Sequence, residues 1–329
     1  MKLTEKEIAK ECNVSITTVS RALNNKGRIS KKTRDKILAY VEEKQTQIYT
    51  QNFCKKTIGL IVPNIQNEYY ATMVTTIQEH FSDSQYDILL AITNKDDVKK
   101  QNAINDFVHR NVSGIIYIGG ITPFCKKQDL KQIPLVCIEH SALIDEPCDC
   151  LIHVDHHLGG YLATQKLIEK GCQHILFLGN KGMLEEKEGR FSGYIKALND
   201  AHIPFNEKLV FKSSSHKVGI MEAKNAIHYL LAKGIYFDGV FATSDWRGYG
   251  VISALKEHNI AIPSQVQIVG YDDIFISQYS FPSLSTIHID YIKMARIASQ
   301  NIQNLIEHKS IASHDILIPY SFHQRESTK

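Results

Sequence analysis

Apolar positions follow two different spacings along this chain of 329 residues. In the first 45 residues they recur every three or four positions, which is typical of short amphipathic helices. From Thr57 onward, short continuous apolar runs alternate with stretches of helical spacing. Strands that are apolar throughout are typical of a parallel sheet covered on both faces. The change in spacing therefore predicts a small helical unit followed by a larger α/β unit.

Three short helices account for the first 45 residues. Thr4 and Glu7 form a capping box before the first apolar pair, Ser15 is an N-cap candidate after a short turn, and Ser30 precedes the third segment. The expected apolar faces of the second and third helices are Val19, Ala22, Leu23, Ile37, Leu38 and Val41. Two short helices joined by a tight turn and braced by a third make a helix-turn-helix unit.

The rest of the chain alternates strands with helices. Predicted strands cover 58–62, 86–92, 114–119, 135–138, 174–179, 239–243 and 266–271. Predicted helices cover 69–83, 97–110, 158–170, 189–201, 219–233 and 248–258. This run is too long for one sheet, so we expect two similar α/β lobes with a cleft between them. Ligands of such sheets bind at the carboxyl ends of the strands.

Charge is distributed unevenly. The formal net charge is +3, yet residues 1–56 hold 13 lysines and arginines against six acidic residues. A basic amino-terminal unit on a slightly acidic body indicates a polyanion partner for the first part only. The amino terminus lacks an apolar signal core, and no run of about 18 apolar residues occurs, so we expect a cytoplasmic protein without a membrane partner. The seven cysteines are expected to be reduced.

The segment IAKECNVSITTVSRALNNKGRISKKTRDKIL (8–38) resembles the DNA-binding headpiece of the lactose-repressor (LacI/GalR) family. The resemblance extends through the body, where IGLIVPNIQNEYY, VDHHLGGYLATQKLIEKG, GRFSGYIKAL, FATSDWRGYG, IVGYDD and LSTI occur in family order. It implies an α/β fold, with a three-helix headpiece and a two-lobed, periplasmic-binding-protein-like sensor. It also implies a homodimeric, nucleoid-associated repressor of a carbohydrate catabolic operon, which binds operator DNA and a small-molecule effector.

The second helix carries the expected DNA contacts. Ile16 and Thr17 lie in its first turn, the part of a recognition helix that reaches base edges. Arg21, one turn later, can donate a bidentate pair to guanine. Short side chains suited to phosphate oxygens are Thr4, Ser15, Thr18, Ser20 and Asn24.

Three residues are expected to contact the effector from helix starts. Tyr69 and Tyr70 fall where the family places an aromatic or apolar ligand contact, and Arg190 falls where members use an arginine for the effector. An aromatic face stacks on a sugar or a base, and a guanidinium can bridge two ligand oxygens. The alternatives are core packing for the tyrosines and a surface ion pair for Arg190.

Three acidic residues complete the expected effector set. Asp245 and Asp272 follow strands and can accept hydrogen bonds from ligand hydroxyls, or alternatively cap the next segment. Glu139 follows another strand and is a weaker candidate. The family usually has asparagine where this chain has Ser244, which shortens the reach of that side chain. Trp246, the single tryptophan, either walls the pocket or packs.

Neither metal, cofactor nor catalysis is expected. Asp155 lies among His153, His156 and His157, but in the family an aspartate here caps the next helix. The pair of cysteines in Cys148–Cys150 lacks the usual two-residue spacing of zinc ligands. Catalytic and nucleotide-binding motifs are missing from the sequence, so an enzyme is disfavoured.

The expected domains are a headpiece (1–45), a linker or atypical hinge (46–56) and an effector-binding and dimerisation domain (57–329). Its N-lobe covers about 57–154 and 289–318, and its C-lobe about 155–288 and 319–329. The linker departs from the family, because no glycine stops the third helix and no Pro-Asn follows. The third helix can therefore extend past Glu43. Ile48 or Phe53 is a candidate wedge into the minor groove, with a plain tether as the alternative.

The sequence leaves several functional alternatives open. The effector is a sugar or sugar phosphate, or alternatively a nucleobase or nucleoside. The headpiece can have lost its DNA affinity, which would leave a soluble ligand-binding protein. An enzyme fused to a DNA reader and a protein co-regulator that docks on the lobes are further alternatives. The short stretch after the last lobe segment favours a dimer over a tetramer.

Overall fold

A computed structural model describes residues 4–25, 27, 29–53, 56–120, 130, 132–140, 148–180, 189–213 and 219–329, with the backbone alone at 45–53, 120, 139, 140 and 213. The chain divides into two compact units. The first reaches Lys56 and includes Gln85–Asp87, and the second comprises the remainder. Among the described helices, none has both the length and the apolar character needed to cross a lipid bilayer.

The headpiece consists of three helices, α1 (Glu5–Cys12), α2 (Ile16–Leu23) and α3 (beginning at Lys31). The capping box at the start of α1 is confirmed, because Thr4 accepts from the backbone of Glu7 while the Glu7 carboxylate accepts from Thr4. The Ser15 side chain caps α2 through the amide of Thr18. Ser30 Oγ accepts from the amide of Thr33 at 3.1 Å, so all three predicted caps are present.

A small apolar core holds these helices together. Its fully or nearly buried members are Ile8, Ala9, Cys12, Val19, Ala22 and Ile37. Two residues expected on the apolar faces were wrongly assigned, since Leu23 is 40% exposed and Leu38 is 42% exposed. Each lies beside a correctly predicted core residue, and a three-helix unit covers only one narrow stripe of each helix.

The third helix is longer than the sequence pattern indicated. It runs from Lys31 to Phe53, so the backbone remains helical through most of the segment expected as a linker. This confirms that the helix continues past Glu43 when no glycine stops it. The side chains of Ile48 and Phe53 lie outside the described residues, and the wedge remains a prediction.

The first α/β lobe is built on a six-stranded sheet. Its strands are β1 (Lys56–Val62), β2 (Tyr86–Ile92), β3 (Gly114–Gly120), β4 (Leu135–His140), β5 (Cys150–His153) and β11 (Asp315–Leu317), with helices α4 (Glu68–Phe81) and α5 (Asp97–His109) between the first three. The strand order is β11-β5-β4-β3-β1-β2. The pairs from β1 through β3, β4 and β5 to β11 are parallel, as the continuous apolar runs predicted.

The second lobe repeats this plan. Its strands are β6 (Ile175–Asn180), β7 (Val210–Ser213), β8 (Gly239–Ala242), β9 (Gln267–Asp272), β10 (Ser285–Ile289) and β12 (Tyr320–His323). Its helices are α6 (His156–Glu169), α7 (Arg190–Asp200), α8 (Ile220–Ala232) and α9 (Asp245–Glu257). The order is β12-β10-β9-β8-β6-β7, and β12 is antiparallel to β10 while the other pairs are parallel. Two predominantly parallel sheets confirm the predicted fold class.

The chain passes between the lobes more than once. It enters the second lobe after β5, returns at α10 (Tyr291–Ile306), which packs on α4 and β3, and crosses again between β11 and β12. The sequence pattern did not reveal α10 or the strands β5, β7, β10, β11 and β12. These strands have only three to five residues, which is too short for an apolar run to stand out.

Two glycines set the position of α7 against α6. A Cβ at Gly160 would collide with the Arg190 carbonyl oxygen, and one at Gly193 would collide with the His157 carbonyl oxygen. Only residues without a side chain allow the two helix backbones to approach this closely. This contact fixes Arg190, the first residue of α7, at one end of the second sheet.

Candidate functional site

The amino-terminal turn of α2 presents side chains to solvent. Ile16 is 49% exposed, and Thr17 and Arg21 are exposed one turn apart. Val19 and Ala22 of the same helix are buried in the headpiece core. The helix therefore has one packed face and one open face, and the open face carries the three residues expected to read bases.

Gly27 supports the position of Arg21. Its φ of +80° lies in the left-handed region, and a Cβ there would stand 3.1 Å from Cδ of Arg21. A glycine satisfies both conditions, because it adopts this conformation freely and leaves room for the arginine stem. The Arg21 stem thus lies along the turn after α2, and no pattern in the sequence analysis had singled out this glycine.

The short polar residues of the predicted DNA set contact one another. Ser15 Oγ lies 2.8 Å from Thr18 Oγ1, and the Asn24 amide donates to the Ser20 carbonyl oxygen at 2.9 Å. Thr4 is separate from these, at the N-cap of α1. Thr4, Ser15 and Asn24 are exposed helix caps, whereas Thr18 and Ser20 lie within α2 and are half-buried.

The first lobe contributes a group of tyrosines at the start of α4 and α10. Asn67 caps α4 by accepting from the amide of Tyr69, whose ring is 7% exposed and packs edge-on against Tyr70 and Tyr291 at 5.1 and 5.4 Å. Tyr70 is more exposed and lies over Gly119, where a Cβ would stand 3.4 Å from its ring. Tyr69 and Tyr291 are therefore both buried, at 7% and 8% exposure, and Tyr70 is the most exposed of the three rings. The effector contacts expected of Tyr69 and Tyr70 remain predictions.

Arg190 begins α7 in the second lobe and is held by two contacts. Its Nη1 donates to the Thr243 carbonyl oxygen at 2.7 Å, and the guanidinium lies 3.8 Å above the Tyr271 ring centre. A cation held over an aromatic face is stabilised by about 1–2 kcal/mol when partly desolvated. These contacts orient the planar donor group at the carboxyl end of β8.

Asp245 is used inside the second lobe. It is fully buried, and its carboxylate accepts from the Ile274 amide at 2.9 Å, Ser277 Oγ at 2.7 Å and Thr286 Oγ1 at 2.6 Å. The alternative role as an N-cap is wrong, because the side chain of Ser244 caps α9 instead. Asp245 thereby ties the start of α9 to β10 and to the loop after β9.

The environment of Asp245 disfavours its charge. Burial and then the nearby negative charge of Asp272 raise the pKa of the Asp245 carboxyl to about 7, while hydrogen bonds from Thr286, Ser277 and Ile274 act in the opposite direction. A carboxyl group with this pKa can gain or lose a proton near neutral pH.

Asp272 ends β9 and lies beside Asp245. It is 8% exposed and adopts a φ of 109°, and Asp273 follows with a φ of 58°. Two consecutive non-glycine residues with positive φ are rare and are held only where surrounding contacts determine them. Asp272 is not the N-cap of a following helix, so that alternative is wrong.

Arg247 is a buried charge that sequence analysis missed. It is 8% exposed, and burial lowers the pKa of its guanidinium; Arg190 acts in the same direction, while Glu222 and Asp272 act against it. Two arginines and Asp272 therefore share one region of the second lobe. The signal was available in the sequence, because Arg247 lies in a helix whose other inward residues, apart from Asp245, are apolar or glycine.

The two lobes meet at this region. The Glu68 carboxylate of the first lobe accepts from the Phe275 amide of the second at 2.5 Å. Burial raises the pKa of the Tyr291 phenol, as do the negative charges of Glu68 and of three aspartates of the second lobe, Asp273, Asp272 and Asp245. Tyr291 thus lies between the tyrosines of the first lobe and the charged residues of the second, and it was not among the predicted contacts.

Two further candidates are less closely tied to this region. The side chain of Glu139 lies outside the described residues. Trp246 packs edge-on against Tyr249 at 5.9 Å, and within the described residues its indole N–H is buried without a hydrogen-bond partner.

The histidines near Asp155 do not converge. Asp155 caps α6 through the Leu158 amide at 2.8 Å, as expected from the family. His153 contacts Asp315, and the other two contact one hydroxyl each, with His156 Nδ1 at 3.1 Å from Tyr271 Oη and His157 Nδ1 at 2.8 Å from Ser192 Oγ. Their ring nitrogens therefore serve separate structural contacts.

Comparison with known proteins gives the same two-part organisation. Residues 4–45 match the family described as "Bacterial regulatory proteins, lacI family", and 164–328 match the "Periplasmic binding protein-like domain". The transcriptional regulator RegA of Clostridium saccharobutylicum is 27% identical over 98% of both chains. The ribose operon repressor of Halalkalibacterium halodurans is 27% identical over 99% of this chain and 97% of its own.

A solved structure extends the likeness to three dimensions. The periplasmic binding protein/LacI transcriptional regulator of Alkaliphilus metalliredigens, complexed with D-xylulofuranose, has a TM-score of 0.69 and 26% identity, and the match covers 83% of this chain and 99% of that one. With a matching DNA-binding headpiece, a matching sensor domain and full-length relatives, the chain belongs to the lacI family of bacterial regulatory proteins and is a DNA-binding transcriptional regulator.

Proposed function

We propose that this regulator represses a carbohydrate catabolic operon and responds to a sugar or sugar phosphate bound between its two lobes. The observation that carries the proposal is the meeting of aromatic and charged groups where the lobes face each other. Tyr70 and Tyr291 come from the first lobe, and Arg190 and Asp272 from the second.

The chemistry of these residues suits a polyhydroxylated ligand. An aromatic ring packs against the C–H face of a sugar, and a carboxylate accepts from hydroxyl groups. Arg190 and Arg247 add donors for a phosphoryl or carboxyl oxygen. The ribose operon repressor and the D-xylulofuranose complex among the relatives support the same ligand class.

The DNA partner is an operator read by α2. Ile16, Thr17 and Arg21 are the proposed base contacts, and Thr4, Ser15, Thr18, Ser20 and Asn24 the proposed phosphate contacts. Two headpieces in a homodimer fit a pseudo-palindromic site, because the symmetry of the DNA mirrors that of the protein. Since operator DNA lies in the nucleoid, we place the protein in the cytoplasm.

A surface of the second lobe supports the dimer. Phe275, Tyr279 and Phe281 are 64%, 65% and 78% exposed, and the first two rings lie 4.8 Å apart. Exposed aromatic clusters of this kind mark interaction sites more often than free surface. A twofold interface would bury the same cluster on both subunits.

Regulation requires that the effector bind two states of the sensor with different affinity. Groups from both lobes contact one another here, as the Glu68–Phe275 hydrogen bond shows. A ligand that contacts Tyr70 and Arg190 together would favour one relative arrangement of the lobes. That preference is the means by which it changes the affinity for the operator.

A thermal-shift panel tests the ligand class. We expect one pentose, hexose or phosphorylated sugar to raise the melting temperature of the full-length protein, because a ligand stabilises the state it binds. The Asp272→Asn variant should lose most of this shift. Asp200→Asn, which removes an exposed ion pair with Lys196 at the opposite end of α7 from Arg190, should keep it. A shift with nucleosides alone would contradict the sugar assignment and favour the nucleoside alternative, which the stacking surface of Tyr70 also fits.

A further inference from the structure

A group of metal-binding side chains lies at one edge of the second sheet, outside the residues of the proposed effector site. Asp273 follows β9, His288 lies in β10, and His323 lies in β12, which pairs antiparallel with β10. One ligand atom from each of these three residues lies within 4.8 Å of the other two. The residues are distant in sequence, and the sheet brings them together.

We propose that Asp273, His288 and His323 form a binding site for a divalent first-row transition-metal ion such as Zn²⁺, with water completing the coordination. Two imidazoles and one carboxylate are a common ligand set for these ions, and three protein ligands with open positions are typical of sites that keep bound water.

The distances among the ligand atoms are close to those of a bound site. His288 Nδ1 lies 2.9 Å and His323 Nδ1 lies 2.7 Å from the same oxygen of Asp273, Oδ2. With metal–ligand bonds of about 2.0–2.1 Å, tetrahedral ligand atoms stand about 3.3 Å apart. Each nitrogen–oxygen distance would have to widen by only about half an ångström to admit the ion.

The two imidazole rings are already arranged side by side. They stack with centroids 4.6 Å apart and planes inclined by 10°, so both Nδ1 atoms face the carboxylate. His323 Nε2 lies 3.2 Å from Ser321 Oγ. A hydrogen bond at the remote nitrogen holds a ligating histidine in the tautomer that leaves the other nitrogen free for the metal.

The carboxylate is oriented in the same way. Arg325 Nη2 donates to Asp273 Oδ1 at 2.6 Å, and Arg325 Nη1 donates to the Leu284 carbonyl oxygen at 2.7 Å. This leaves Oδ2 directed at the histidines.

The site is accessible to an ion from solvent. The side chains of His288 and His323 are 32% and 42% exposed, and that of Asp273 is 10% exposed. Water can therefore occupy the remaining coordination positions without burying further charge. The bound ion would link the end of β9 to β12, the strand formed after the last crossing between the lobes.

A simple ion-pair cluster is the competing explanation, in which both histidines donate to the carboxylate. Calorimetric titration of the full-length protein with ZnCl2 separates the two, after chelator treatment and alkylation of the accessible thiols. We expect one equivalent of Zn²⁺ to bind to the wild-type chain. His288→Ala and His323→Gln should weaken this binding at least about 100-fold, since even the loss of an outer partner costs 10–100-fold.

Two further variants keep the test decisive. Ser321→Ala retains all three ligands and should weaken Zn²⁺ binding about tenfold. Misfolding of the His288 and His323 variants could not explain a loss of binding in this variant. His258→Ala removes a histidine that contacts His228 on the helices of the same lobe and should leave binding unchanged. The proposal is overturned if the wild type binds no Zn²⁺, or if its binding survives unchanged in both His288→Ala and His323→Gln.

Discussion

The headpiece and the sensor place their proposed functional side chains in opposite environments. In the headpiece, Ile16, Thr17 and Arg21 stand exposed on the open face of one helix. In the sensor, Asp245, Arg247 and Asp272 are buried, and the residues near them come from several strands and helices of both lobes. The headpiece does not use these exposed side chains to stabilise its own fold. The sensor does use its buried polar side chains to stabilise its fold.

This difference has an energetic consequence. Removing an exposed recognition side chain leaves no buried partner unsatisfied, so its loss should appear in DNA binding alone. Removing a buried polar side chain leaves donors without acceptors, so its loss should appear in stability as well as in ligand binding. The variants that follow separate the two regions by this criterion.

The largest effect is expected for Asp245→Ala. It leaves the Ile274 amide and the Ser277 and Thr286 hydroxyls without their acceptor, and we expect the free energy of unfolding to fall by about 3–4 kcal/mol. Urea unfolding followed by the fluorescence of Trp246, the single tryptophan, measures it. Asp155→Ala, which removes only a helix cap, should cost about 1 kcal/mol. Equal losses of unfolding free energy in the two variants would show that the buried hydrogen bonds of Asp245 stabilise the fold no more than a helix cap does.

Arg21→Ala should weaken operator binding without altering stability. A bidentate contact to guanine contributes about 1–3 kcal/mol of discrimination, so we expect about a 10- to 100-fold loss of specific affinity in fluorescence anisotropy. Arg110→Ala, an exposed arginine at the end of α5 in the sensor, serves as the control and should bind as the wild type does. An unchanged affinity in Arg21→Ala would favour a headpiece that no longer reads DNA.

The raised pKa of Asp245 predicts a pH dependence of sensor stability. The folded pKa of about 7 exceeds the unfolded value near 4, so the native state binds more protons between these values. The stabilising contribution of the protonated carboxyl is present below about pH 4 and is lost as pH rises through about 7. The free energy of unfolding should fall by at most about 1.4 kcal/mol per pH unit in this range. Asp245→Asn should flatten this part of the stability profile, and an unaltered slope would contradict the assignment.

The smallest effect is expected for Ser15→Ala. Its hydroxyl caps α2 through the Thr18 amide, and loss of an N-cap costs about 1 kcal/mol. Thermal unfolding followed by circular dichroism should show a small decrease for the headpiece and none for the sensor. Ser15→Asp, which retains a capping oxygen, should keep the stability but weaken DNA binding through charge repulsion. A stable Ser15→Ala headpiece would mean that the cap is dispensable.

The same contrast explains what the sequence could predict. The headpiece is encoded by contiguous signals, because each helix begins at its own capping residue and has its own apolar stripe. The sensor site joins residues that are more than 200 positions apart, such as Tyr70 and Tyr291, so periodicity gives the strands but not which side chains meet. Arg190 and Asp272 were predicted from the family resemblance and from their places at a helix start and after a strand, and their effector contacts remain predictions. Arg247 and Tyr291 were missed because their positions depend on how α9 and α10 pack.

Asp245 shows a further limit of sequence analysis. The pattern after β8 placed a carboxylate at a strand end, and both a ligand contact and a helix cap fitted that position. The structure instead directs it at Ile274, Ser277 and Thr286, donors on the loop and strand that follow β9. The preceding residue provides the cap of α9 instead, because the Ser244 hydroxyl accepts from the amide of Arg247.

The most direct test of the account is the coupling between the effector and the operator. Anisotropy titration of labelled operator, with the wild-type protein and increasing concentrations of the sugar found by thermal shift, measures it. We predict a change in operator affinity of at least about fivefold that Asp272→Asn abolishes, with operator affinity in the absence of sugar unchanged. An operator affinity that stays the same at saturating sugar would contradict the claim that the cleft controls the headpiece.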